Sequence, residues 1–155
     1  MRHLAVALSA VVLVACSKKD EAATPAADST RPSLPAASPM TPEAVAGNWR
    51  VQVMGESGDS VLLAYDMTAS ADTAGWTITL PGREPMKLTI VSMGGDSAVA
   101  ENGPYESVLR PGVQVRTTTT LRLRGDRLVG RTVARYSSAG ADSVVNLRSR
   151  GQRVP

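Results

Sequence analysis

The stretch from Val113 to Tyr136 leaves this chain few choices of fold. Val113, Val115, Thr117, Thr119, Leu121 and Leu123 occupy one parity, and Gln114, Arg116, Thr118, Thr120, Arg122 and Arg124 the other. Period two marks a half-buried strand, with one face on a core and one in water. Gly125-Asp126 then supplies a Gly-X pair suited to a two-residue hairpin turn of the II′ type. Such a loop sets Leu123 opposite Leu128, Leu121 opposite Gly130, Thr119 opposite Thr132, Thr117 opposite Ala134 and Val115 opposite Tyr136. Inward residues meet inward residues along the whole hairpin. A slip of one residue would turn every apolar side chain outward, so turn chemistry and pattern specify the same register.

The same period runs back to Gly47. Trp49, Val51 and Val53 share a face, as do Val61, Leu63, Tyr65 and Met67. Trp76, Ile78 and Leu80 follow, then Met86, Leu88 and Ile90. A last strand over about 142–153 carries Val144, Val145 and Leu147. No stretch shows helical periodicity. Phe is absent, so the core rests on Val, Leu, Ile, Met and Thr, with the two tryptophans as its largest pieces. About eight antiparallel strands joined by short loops read as an all-β up-and-down barrel, with a two-sheet β-sandwich as the alternative. An eight-stranded barrel is either filled by side chains or holds one small ligand.

The N-terminal part has a different character. Residues 1–15 combine Arg2 with the apolar run Leu4–Ala15, too short to span a bilayer and of the form of a secretory signal peptide. Residues 16–42 are rich in Pro, Ala, Ser and Thr and cannot bury enough surface to offset chain entropy, so they read as a disordered tether. Lys18 and Lys19 within it read as solvated linker charge. Residues 43–155 form the single folded domain. Leu13-Val14-Ala15-Cys16 resembles the lipobox of bacterial lipoproteins. That resemblance implies cleavage before Cys16, acylation of this cysteine and stable anchoring in a lipid bilayer. Ser17 resembles the default for sorting to the periplasmic face of the outer membrane. Cys16 is the only cysteine, so no intrachain disulfide is available.

Gly47-Asn48-Trp49 resembles the Gly-X-Trp opening of lipocalins and related calycin barrels. In that family the tryptophan closes one end of the barrel and an arginine from the last strand packs over it. The resemblance implies the pair Trp49 and Arg153, with Arg148 and Arg150 as rivals for the arginine. The chain departs from the family pattern in being short, in lacking disulfides and in having no helical stretch before its last strand.

Charge supplies the other candidate sites. Residues 43–109 carry nine acidic residues against Arg50, Arg83 and Lys87, while 110–155 carry ten arginines against Asp126 and Asp142. The fold must bring these halves together or display opposed faces. Arg116 falls opposite Arg135 on the outer face, with Arg122 and Arg131 nearby. Like charges across a pair are destabilising, so these four are candidates for an anionic surface, such as membrane phosphates. Arg124-Gly125-Asp126 reads as the turn itself. Residues 102–112 form a longer loop, either a lid over a barrel mouth or a connection pinned by Pro104 and Pro111. Tyr105 and Arg110 in this loop, with Tyr136, are candidates for ligand contact. If Gly94-Gly95 is the two-residue turn, Glu101 points inward with Ile90 and Val99 and joins that set.

Catalytic chemistry finds little support. The only histidine is His3, inside the segment read as removed, and no cluster of acids has metal-ligand spacing. The expectation is a non-enzymatic protein without metal or cofactor. Few stacking aromatics and an exported chain argue against nucleic acid. Two readings remain: an anchored barrel binding a small amphiphilic, lipid or anionic ligand, or an interaction module using its arginine-rich face. Interior volume separates them.

Overall fold

A computed structural model describes residues 38–138, 140 and 143–155. The predicted signal peptide, the lipidation site Cys16 and most of the predicted tether lie outside the described residues. One short helix, α1 (Pro42–Val45), precedes nine strands: β1 (Gly47–Gly55), β2 (Val61–Ala69), β3 (Thr77–Thr79), β4 (Met86–Lys87), β5 (Thr89–Gly94), β6 (Ser97–Glu106), β7 (Gln114–Arg124), β8 (Arg127–Tyr136) and β9 (Val144–Val154).

All nine belong to one antiparallel sheet, ordered β4-β3-β2-β1-β9-β8-β7-β6-β5. The ends of that order are consecutive in the chain, separated only by Leu88. Met86 and Lys87 pair with β3, and Leu88 donates its amide to the Trp76 carbonyl at 2.9 Å. Thr89–Gly94 then pairs with β6. The segment 86–94 thus acts as one strand that passes from β3 to β6 and carries the sheet around into a nearly closed barrel. Counted this way there are eight strands in up-and-down order, and the two-sheet alternative is absent. Closure leaves little free sheet edge for pairing with other chains.

The β7–β8 hairpin has the register its pattern demands, from Val115 opposite Tyr136 to Leu123 opposite Leu128. Gly125, with φ of 60°, takes the positive angle that the first turn position requires. Large inward residues of some strands meet small ones of others, as the taper of a small barrel requires. Trp49, Trp76, Met67 and Leu128 are fully buried, with Ala98, Ala100 and Gly151 among the small inward positions. Gly130 is required by close approach: a Cβ there would stand 2.3 Å from Ser149 Oγ. Inside the wall, Thr119 and Thr132 share a hydroxyl hydrogen bond of 2.8 Å, so these polar groups are partnered.

Composition places residues 16–42 outside the domain, but the ordered structure reaches back further. Met40 is 2% exposed and joins the core, and its amide donates to the Gly95 carbonyl at 2.9 Å. Helix α1 follows. Thr41 caps it, accepting from the Ala44 amide at 3.2 Å, and Pro42 and Glu43 stand in its first turn. Four residues are too few to show a 3.6-residue period, although Thr-Pro-Glu is a helix-start signal.

Candidate functional site

The two ends of the barrel differ. At the end where α1 sits, Trp49 is 0% exposed, and its indole N–H donates to the Val45 carbonyl at 2.8 Å. The Arg153 guanidinium lies over the Trp49 ring, 4.3 Å from its centroid, and donates to the carbonyls of Ala44 and Ala46. Arg153 ties the first strand, the helix and the last strand together. Arg148 and Arg150 face outward instead. Both reach Asp59, and Arg148 donates to the Gly55 and Gly58 carbonyls, holding the β1–β2 turn.

At the opposite end the β6–β7 connection covers the interior. Strand β6 runs on to Glu106, so Tyr105 lies in a strand and the loop is only 107–113. This loop is internally bonded. Ser107 Oγ accepts from the amides of Leu109 and Arg110 at 3.1 Å each, and the Ser107 amide donates to the Val113 carbonyl at 2.8 Å. Glu106 accepts from the Gly112 amide at 2.9 Å. Beneath it is a cavity of about 70 Å³, whose lining includes Tyr65, Tyr105, Tyr136, Thr117 and Leu109. Arg110 stacks on the Tyr136 ring at 4.2 Å. Three of the four predicted ligand contacts, Tyr105, Arg110 and Tyr136, therefore converge at this end. Burial raises the Tyr65 phenol well above its ordinary pKa, with the neighbouring Tyr105 adding to the shift. Burial also raises Tyr105, against a lowering hydrogen bond from Thr117. The cavity is well under the ~300–1,000 Å³ of sites that bury a drug-sized ligand.

The fourth, Glu101, requires a correction. The turn is Gly95-Asp96, closed by Gly94 opposite Ser97, one residue later than the pattern suggested. A bulge between Ile90 and Ser92 shifts the register again. Ala98 and Ala100 point inward, and Glu101 is exposed on the outer face. One residue of slip exchanges the faces of a strand, which explains the reversal.

The outer face of β7, β8 and β9 is dense in arginine. Arg116 faces Arg135, Arg131 faces Arg148, and Arg124 faces Arg127. Part of this charge is met by the acidic first half of the domain. Asp96, in the β5–β6 turn, pairs with Arg122 at 3.2 Å and Arg124 at 3.5 Å. Asp59 pairs with Arg148 and Arg150 at 3.6 and 3.3 Å. These partly exposed pairs are each worth little. Among the described residues, Arg116, Arg131 and Arg135 have no carboxylate within ion-pair distance. Beside Arg116 and Arg135, an open groove of about 660 Å³ also takes in Lys87, Glu101 and Asn102. Neither Lys87 nor Asn102 is singled out by sequence, because their place beside Arg116 and Arg135 depends on the bulged β5–β6 and β6–β7 registers.

The fold and its closed end define an antiparallel up-and-down β-barrel compatible with the calycin-like architecture. No protein-family model, curated protein or solved structure matches the chain.

Proposed function

We propose that this protein is a lipid-anchored envelope protein whose filled barrel serves as an interaction module. Its arginine-rich outer face rests against phosphate at the membrane surface, and Cys16 is the attachment point. The observation that carries this reading is the set Arg116, Arg131 and Arg135, three exposed cations without an acidic partner among the described residues. The facing pairs Arg116–Arg135 and Arg131–Arg148 carry a repulsive cost that an anionic partner would remove. The filled interior favours this reading over an amphiphile held inside.

Magnitudes decide how such a face could act. A basic side chain close to an anionic leaflet gains about 1 kcal/mol. Three or four of them correspond to an affinity weaker than about 1 mM. That is too weak to recruit a free protein firmly. It is enough to orient one already tethered, because short flexible tethers give effective concentrations in the ~mM range. The test uses the Cys16→Ser chain, which lacks the proposed anchor, with concentrated vesicles. Co-sedimentation should be greater with phosphatidylglycerol than with phosphatidylcholine and should fall as salt shortens the ~10 Å screening length. It should fall further when Arg116, Arg131 and Arg135 are changed to Ser. Binding indifferent to lipid charge and salt would overturn the proposal.

A further inference from the structure

Within the arginine-rich face, one concave region differs from its surroundings. The β6–β7 register shifts between Asn102 and Tyr105, and the resulting bulge, at Gly103-Pro104, forms one wall of the groove. Bulges re-aim side chains and break a flat ladder locally. Lys87 on β4 and Arg116 and Arg135 on β7 and β8 line the same groove. No ion pair among the described residues engages any of these three. Glu101, opposite Thr118, is the only acidic residue in the lining. The lining therefore carries three cations against one anion.

The groove carries two facing guanidinium groups and an ammonium. Each guanidinium presents a planar fork of donors matched to the oxygens of a phosphate, and the ammonium adds a point charge. The shared requirement of all three groups is an oxyanion acceptor with several oxygens.

We infer that this groove is a discrete binding site for one phosphate group, held by Arg116, Arg135 and Lys87. The inference rests on the reading of this face as anion-binding and adds the ligand chemistry and the place. The phosphate belongs either to a lipid headgroup or to a free phosphorylated molecule, and the two sources separate by experiment.

The test follows the Cys16→Ser full chain by NMR as inorganic phosphate is added. The Arg116 and Arg135 Nε–H signals should shift saturably, while chloride at equal ionic strength leaves them in place. Arg116→Gln and Arg135→Gln should each weaken phosphate binding by about tenfold or more, the loss expected for a charge-assisted hydrogen bond. Arg50→Gln, on a cation already paired with Asp66 at 2.6 Å, should leave it unchanged. Absence of saturable shifts, or an equal loss in Arg50→Gln, would overturn the site. Competition between phosphate and phosphatidylglycerol vesicles assigns the site to headgroups. Phosphate binding that is lost in the groove variants while vesicle binding persists assigns it to a free phosphorylated molecule. Saturable phosphate binding without any vesicle binding keeps the site and removes the membrane reading. Vesicle binding with no phosphate response removes the site and keeps that reading.

Discussion

Arg153 shows how one side chain can fasten an end of a small barrel. Its guanidinium stacks on Trp49 and also meets the last carbonyls of α1, groups that a helix end leaves without internal partners. At the other end, Tyr65 carries a testable consequence of burial. Its folded-state pKa lies above the ordinary value near 10. The folded state therefore keeps the proton where the unfolded state loses it. This contribution is fully present below pH 10 and is lost as pH rises above that value. The urea midpoint should accordingly fall with pH above about 10. Tyr65→Phe should flatten that fall relative to the parent protein, and an identical pH dependence in the two would rule out Tyr65 as its source.

At the scale of the element, the β7–β8 hairpin was legible because local signals agreed. Alternation, a Gly-X turn and strand lengths all point to one register, and the structure has it. The β5–β6 hairpin was not, because Gly94-Gly95-Asp96 offers two adjacent turn registers and the bulge between Ile90 and Ser92 leaves no mark in the pattern. Glu101 was misplaced for that reason. Gly130 of β8 stands between Leu121 of β7 and Ser149 of β9, which leaves no room for a Cβ. Gly130→Ala should destabilise the barrel by about 1–3 kcal/mol, the cost of overpacking a close contact. Leu121 Cδ2, at 3.1 Å, would be crowded along with Ser149 Oγ. Ser149→Ala removes the nearer obstacle, so the double variant should recover part of the loss. A double-mutant cycle from urea denaturation measures this coupling, and strict additivity would refute it.

At the scale of the whole molecule, the acidic and basic halves of the domain meet only in part. The fold brings Asp96 and Asp59 to four arginines and leaves Arg116, Arg131 and Arg135 facing outward without carboxylates among the described residues. An uncompensated basic face gains most where phosphates are concentrated, which is the surface the proposed anchor would provide. Cys16→Ser should move the protein from the membrane fraction to the soluble fraction of the envelope, followed by immunoblot after fractionation. Retention in the membrane fraction would remove the anchor from the proposal.

Period-two alternation by itself determined that the domain is all-β, with an inner and an outer face, because the pleat ties side-chain direction to parity. It also placed the arginine row outside. Only the tertiary structure decided which strands meet beyond the hairpins. The segment 86–94 closes the ring, Met40 and α1 close one end, and the loop 107–113 covers the other. Closure also left a cavity of about 70 Å³ in the interior, and the bulged β5–β6 and β6–β7 registers set Lys87 in the groove of Arg116 and Arg135. Those outcomes depend on contacts between residues far apart in the chain, and no local periodicity encodes them.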